Sequence, residues 1–189
     1  GLRGRTTYRG VSTEPKISTI IPSTAFGANE KIITGHIGVG GRGGGNLRSF
    51  LNHAAAVCDV DSTRVARAVK QVENAGRKCT GHGDFRELLD RSDLDAVVIS
   101  TPVATHYDLA MQALESGKHI LVEKPMATTV AEVDEIGRLS KDNDLVAMVG
   151  HTFLYNPAVR YVKRLIDSGE LGDIRYIYSQ RLNLGRIRA

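Results

Sequence analysis

Only two cysteines stand in 189 residues, and Cys58 and Cys79 are too far apart for a C-x-x-C pair. No His or Cys spacing matches a zinc site, so neither a metal centre nor a disulfide is expected. Cys58 closes an apolar run and reads as a small buried residue. No apolar run approaches the roughly 20 residues that cross a bilayer, so a spanning helix is not expected and the chain reads as water-soluble. Aromatic residues are scarce, at 5%, and none interleave with the basic ends Arg3, Arg5, Arg9 and Arg181, Arg186, Arg188. The net charge of +4 is therefore read as a mixed, solvated surface, with Asp and Glu among the Lys and Arg from Asp59 onward, and not as a nucleic-acid groove. No internal repeat or low-complexity tract competes with a globular reading.

Hydrophobic residues make up 41% and charged residues 24%, both ordinary for a soluble globular chain. A length of 189 residues suits one packed domain and a remnant of a second. Residues 1–31 hold no sustained period and read as an extension outside the core. From Ile32 to Val39 an apolar segment runs into Gly38, Gly40, Gly41, Gly43, Gly44 and Gly45, the pattern of a strand ending in a glycine-rich turn.

Strand-like and helical stretches then alternate. Ala54 to Cys58 reads as a strand, and Val65, Val69 and Val72 fall on one face of a helix that Asp61 or Ser62 can cap. A weak strand from Lys78 to Thr80 precedes a short helix with Phe85, Leu88 and Leu89 on one side. The unbroken run Ala96-Val97-Val98-Ile99 suits a parallel strand buried on both faces. A helix with Leu109, Ala113 and Leu114, and the strand Ile120 to Val122, follow. Thr129 with Glu132 makes a capping box for a helix that turns Val133 and Ile136 inward. After a strand from Val146 to Val149, Asn156 and Pro157 open a helix with Val159, Val162 and Ile166 on one face, ending at Gly169. Ile174 to Leu182 reads as a last strand. Regular alternation with short connections predicts an α/β fold, a doubly wound parallel sheet of the Rossmann type. Residues 32–151 would form that domain, and 152–189 the start of an incomplete second one.

Gly38-Val39-Gly40-Gly41-Arg42-Gly43 matches G-x-G-x-x-G where that motif must lie, after a strand and at a helix start. The glycines allow a tight turn, a close approach of pyrophosphate and close packing of helix on strand, while free N–H groups at the helix start attract phosphate. Such a site also wants an acid at the end of the second strand, about twenty residues on, to take the ribose hydroxyls. Asp59 lies there, with Asp61 as the alternative. A carboxylate repels the extra phosphate of NADP, so NAD is the expected cofactor, and NADP is admitted if Arg42 offsets that repulsion. Glu123-Lys124-Pro125 places an acid, a base and a proline directly after a buried parallel strand, where ligands bind. There the Lys124 ammonium can hydrogen-bond a substrate hydroxyl and stabilise oxyanion charge as hydride leaves the same carbon. Pro125 fixes the backbone, and a cis bond is open to it there.

With these motifs, and with Asp84-Phe85-Arg86-Glu87-Leu88-Leu89 and Asp95 to Pro102 followed by His106, the chain resembles the Gfo/Idh/MocA oxidoreductases from about Lys31 to Leu182. The resemblance implies that Ser100, Thr101, Pro102 and His106 line the nicotinamide side and that Glu123 and Lys124 form the hydride-transfer motif. His106 has the alternative of a helix-start residue without ligand contact. Gly150 to Pro157 is similar to the family's crossing into its substrate domain, so His151 and Tyr155 face either substrate or core. The resemblance further implies a sugar, cyclitol or nucleotide-sugar substrate and a homo-oligomer. The family's D-x-x-x-H motif, whose histidine is the general base, has no counterpart before Ala189. Cofactor binding without turnover is therefore expected of these residues alone. Ile20 to Asn29 is similar to the linker after a twin-arginine export peptide; cytoplasm is the first expectation and export the alternative. Two rivals remain: a non-catalytic dinucleotide sensor, against which Lys124 argues, and a methyltransferase, which gives no reason for Glu123-Lys124-Pro125.

Overall fold

The computed structural model describes residues 31–180. The segment expected to be an N-terminal extension thus falls almost wholly outside the described residues. Six short strands, β1 (Thr34–Ile37), β2 (Ala54–Cys58), β3 (Thr80–His82), β4 (Ala96–Ile99), β5 (His119–Val122) and β6 (Ala147–Val149), form one sheet in the order β3-β2-β1-β4-β5-β6. Every pairing is parallel. Between them run α1 (Gly41–Ser49), α2 (Ser62–Glu73), α3 (Phe85–Leu89), α4 (His106–Glu115) and α5 (Val130–Asp142), and α6 (Pro157–Asp167) follows β6. The order reverses between β2-β1 and β4, the switch point at which open α/β sheets hold ligands.

The sheet divides the core in two. Leu47 of α1 and Ala68 and Val72 of α2 pack with Val39, Ala54 and Val57. Leu88 of α3, Leu109 and Leu114 of α4 and Ile136 of α5 pack with Val97, Ile99, Ile120 and Val122. The β-branched and small residues of β2 and β4 are buried on both faces, which is why these runs carry no polar alternation. His36 is 1% exposed, with Nε2 3.0 Å from Thr34 Oγ1 and its ring edge-on to Phe50. Burial pulls its pKa from 6.5 to about 4. Cys58 is buried as expected, and burial beside Asp59 pushes its thiol up to about 11, far from a reactive thiolate.

Helix starts are closed by the side chains the spacing singled out. Asp61 accepts from the Thr63 and Arg64 N–H groups, and Asn156 from those of Ala158 and Val159, with Pro157 in the first turn. Both halves of the Thr129–Glu132 capping box form. Four expectations need correction. β3 lies at Thr80–His82, two residues beyond its expected start. Val133 is 37% exposed, so Ile136 alone of that pair is buried. The apolar face of α6 is uncovered, with Val159, Val162 and Ile166 at 43%, 50% and 37% exposure. Residues 174–180 pair with no strand, and the rest of the expected last strand lies outside the described residues. A period-2 apolar pattern needs a neighbouring strand to become a ladder, and none adjoins it among the described residues.

Candidate functional site

Everything singled out as chemical sits at one edge, because parallel strands deliver all their carboxyl ends to the same side of the sheet. β1 runs into Gly38, β2 into Asp59, β4 into Ser100-Thr101-Pro102, β5 into Glu123-Lys124 and β6 into Gly150-His151. The glycine loop is built at two points by lack of room. Gly38 has φ +81°, and a Cβ there would lie 2.8 Å from the Ser100 carbonyl oxygen. A Cβ on Gly43 would lie 1.8 Å from the Gly38 carbonyl oxygen, so α1 packs against the turn only with hydrogen at that position.

The start of α1 differs from those of α2, α3, α5 and α6. Gly40 is its cap residue and no side chain accepts its first-turn N–H groups. Uncapped N–H donors with the positive end of the helix dipole behind them are suited to a phosphate. At Gly41 nothing lies within 4 Å of the place a Cβ would take, so backbone alone stands at the surface a pyrophosphate would meet. The chain fits a dinucleotide on these grounds.

Asp59 is 7% exposed and held at both oxygens: Oδ2 accepts the Val39 N–H at 3.0 Å and Oδ1 the Asp61 N–H at 3.1 Å. Of the two acids considered for the ribose, Asp59 touches the glycine loop, whereas Asp61 is occupied in capping α2. Arg42 does not serve as the expected counter-charge beside Asp59. Its Nε donates to Glu123 Oε1 at 2.8 Å, toward β5 on the other side of β1. Asn46, which the sequence reading passed over, donates from Nδ2 to both Ser100 Oγ and Glu123 Oε1, each at 3.0 Å. Burial by itself would raise the Glu123 carboxyl, but the bonds from Arg42 and Asn46 prevail and hold it below the usual range. Glu123 thus ties α1 to the ends of β4 and β5.

His106 lies at the start of α4 and is 2% exposed, with Nδ1 2.8 Å from the Pro125 carbonyl oxygen and Nε2 2.9 Å from that of Thr101. Its ring bridges the two loops that carry Thr101 and Lys124, which makes it a positioning residue. The Lys124–Pro125 bond is cis. Lys124 is exposed, and its ammonium forms no ion pair among the described residues. A cleft of about 1200 Å³ brings Lys124 together with Arg42, Ser100, Thr101, Pro102, His106, Glu123 and His151. Tyr155 lines a smaller cavity of about 180 Å³ behind it, shared with Arg42, Asn46, Glu123 and His151. Gly38, Gly40, Gly41, Gly43 and Asp59 lie outside both, around the turn after β1. The candidate residues therefore fall into one group around the ends of β1 and β2 and a second at the ends of β4, β5 and β6.

A family model described as an oxidoreductase family with an NAD-binding Rossmann fold matches residues 33–151. A glycosyl hydrolase family 109 protein of Saccharopolyspora erythraea is 32% identical over 187 residues, covering 93% of this chain and 41% of that protein. The structure of scyllo-inositol dehydrogenase from Lactobacillus casei, with bound NAD(H) and scyllo-inositol, superposes with a TM-score of 0.67 at 26% identity, over 76% of this chain and 43% of that one. A mutant 3-ketoreductase from Actinomadura kijaniata, solved with TDP-benzene and NADP, gives a TM-score of 0.68 at 26% identity, over 77% of this chain and 45% of the other. The chain spans less than half the length of each of these relatives.

Proposed function

Because the chain belongs to the Gfo/Idh/MocA oxidoreductases with an NAD-binding Rossmann fold, we propose that it binds NAD and serves hydride transfer at a hydroxyl-bearing carbon of a sugar, cyclitol or nucleotide sugar. The observation that carries this reading is the pairing of an uncapped glycine-lined helix start with an exposed lysine in the adjoining cleft. Residues 32–151 are the dinucleotide-binding part and those from 152 onward begin the substrate part. Nicotinamide, when bound, supplies or accepts the hydride. The α1 start takes pyrophosphate, Asp59 the ribose hydroxyls, and Ser100, Thr101 and Pro102 flank the nicotinamide end. Lys124 donates to the reacting oxygen and stabilises its negative charge. Glu123 and His106 hold the loops that present Lys124. His151 and Tyr155 face the substrate side.

The test is a fluorescence titration of the chain with NADH and NADPH. Tighter NADH binding is expected, lost in Asp59→Ala and kept within about twofold in Lys124→Ala, whose deficit belongs to kcat, on the order of 100-fold in any preparation that turns over. A folded chain that binds neither nucleotide sinks the proposal. The named hydrolase relative favours a second reading of the same site. Hydride that leaves and returns within one turnover permits net cleavage of a glycosidic bond, as in NAD-dependent glycosidases. Release of nitrophenol from a nitrophenyl glycoside without net NADH formation would select that reading over a dehydrogenase. An exposed Lys124 in the cleft supports catalysis over a purely sensing role.

A further inference from the structure

Asn46 stands in the second turn of α1, next to Leu47, which is fully buried and anchors that turn. Its amide nitrogen donates to Ser100 Oγ and to Glu123 Oε1, each at 3.0 Å. A carboxylate can only accept, so the amide is held with its nitrogen toward Glu123, and both of its protons are used. Ser100 directly follows β4, while Glu123 directly follows β5 and precedes Lys124. The other oxygen of Glu123, Oε2, accepts the Lys124 N–H at 3.3 Å. Two side chains, Asn46 and Glu123, thus connect α1 to the backbone of the lysine.

We infer that Asn46 is a positioning residue, which fixes the loop after β4 and the loop that carries Lys124 to the helix whose start takes the pyrophosphate. The inference deepens the dinucleotide reading above and rests on it. Hydride moves only between carbons held close and aligned, so the nicotinamide flank and the lysine must share one frame. In that reading the pyrophosphate sits at the start of α1, and Asn46 carries this reference to both loops that line the cleft.

Arg42 does not take over this task. It donates to Glu123 alone, its side chain is 61% exposed, and such solvated pairs are individually weak. His106 joins the same two loops from α4, through the carbonyls of Thr101 and Pro125. Among the described residues of α1, Asn46 alone hydrogen-bonds to both loops. Replacing its amide by a carboxylate isolates the donor. Asn46→Asp keeps the shape but sets two acids face to face where a 3.0 Å donor contact stood, so one of them takes up a proton more readily than usual. Once protonated, that side chain donates across the gap again.

The experiment measures amide hydrogen exchange, without nucleotide, in the parent, Asn46→Ala and Asn46→Asp, with circular dichroism melts and an NADH titration beside it. Asn46→Ala should speed exchange about tenfold in peptides spanning residues 100–105 and 123–127 and leave those of α2 and α5 within about twofold of the parent. Its NADH affinity should fall less than about threefold, while the emission of bound NADH moves toward that of the free nucleotide as the nicotinamide is held less firmly. Asn46→Asp should match Asn46→Ala at about pH 8 and, compared with the parent at each pH, recover protection in both loops on lowering to about pH 5, which Asn46→Ala should not. Unchanged exchange in the two loops, faster exchange spread evenly over all elements, or no recovery of Asn46→Asp in acid overturns the inference and leaves the NAD reading intact. A folded parent that binds no NADH overturns the reading beneath it as well.

Discussion

Helices α1 and α5 both start at the carboxyl edge of the sheet, and they treat their first N–H groups in opposite ways. α5 closes on itself: Thr129 Oγ1 accepts the Glu132 N–H, and Glu132 reaches back to the N–H groups of Thr128 and Thr129. α1 has glycine at its cap, further glycines at 43–45 and no acid in its first turn. Each interior glycine costs a helix roughly 1 kcal/mol relative to alanine, so α1 is the poorer helix by its own residues. Leu47, fully buried beneath it, and the bonds from Arg42 and Asn46 to Glu123 hold it down. The contrast teaches that local stability was given up at one helix start and kept at the other. The one that gave it up lies beside the candidate site with no side chain on its donors.

The comparison breaks hardest at Gly43. Gly43→Ala places a methyl within bonding range of the Gly38 carbonyl oxygen, so strand and helix must separate. We expect a loss on the order of 4 kcal/mol of stability, measured by denaturant melts, together with loss of nucleotide binding. A variant that melts and binds like the parent would mean that the close packing of this turn has no role. Gly40→Ser sharpens the contrast. Gly40 has φ −80° and ψ 161°, a conformation open to any residue, and only the flexible tip of Arg64 stands in the way. A serine there can cap α1 with its own hydroxyl. Stability should rise by a few tenths of a kcal/mol, while NADH affinity falls about tenfold as the donors are taken. If both quantities rise together, the open donors are not what binds phosphate. The smallest effect belongs to α5: Thr129→Ala should cost about 1 kcal/mol of stability in thermal melts and leave the NADH affinity unchanged.

Most strands and the parallel sheet were legible in the sequence because β2, β4, β5 and β6 are short apolar runs and α2 to α6 each have a 3.6-residue face, whereas β3, Thr80-Gly81-His82, has no apolar run to mark its bounds. The glycine loop and Glu123-Lys124-Pro125 were legible because their position relative to a strand carries the meaning. The contacts within the site were not. Asn46 meets residues 54 and 77 positions away, and no local pattern marks an asparagine that will bridge two strand ends. Arg42 read as a counter-charge for Asp59 because it is next to Gly43 in sequence, but its side chain leaves the loop on the β5 side. Arg64 was not singled out, since its tie to Gly40 exists only once α2 has packed beside the loop. Residues 174–180 show the converse failure, an alternation of Ile174, Tyr176 and Tyr178 that reads as strand without a partner to pair with.

The clamp on Asp59 bears on entropy. Its carboxylate is immobilised by the Val39 and Asp61 N–H groups with no ligand needed to order it. Freezing a mobile side chain at the moment of binding costs about 0.5–1.5 kcal/mol, and here folding has already done it. In the proposed role, an acid so preorganised takes ribose hydroxyls without first being recruited, and cannot swing aside for a larger, charged group.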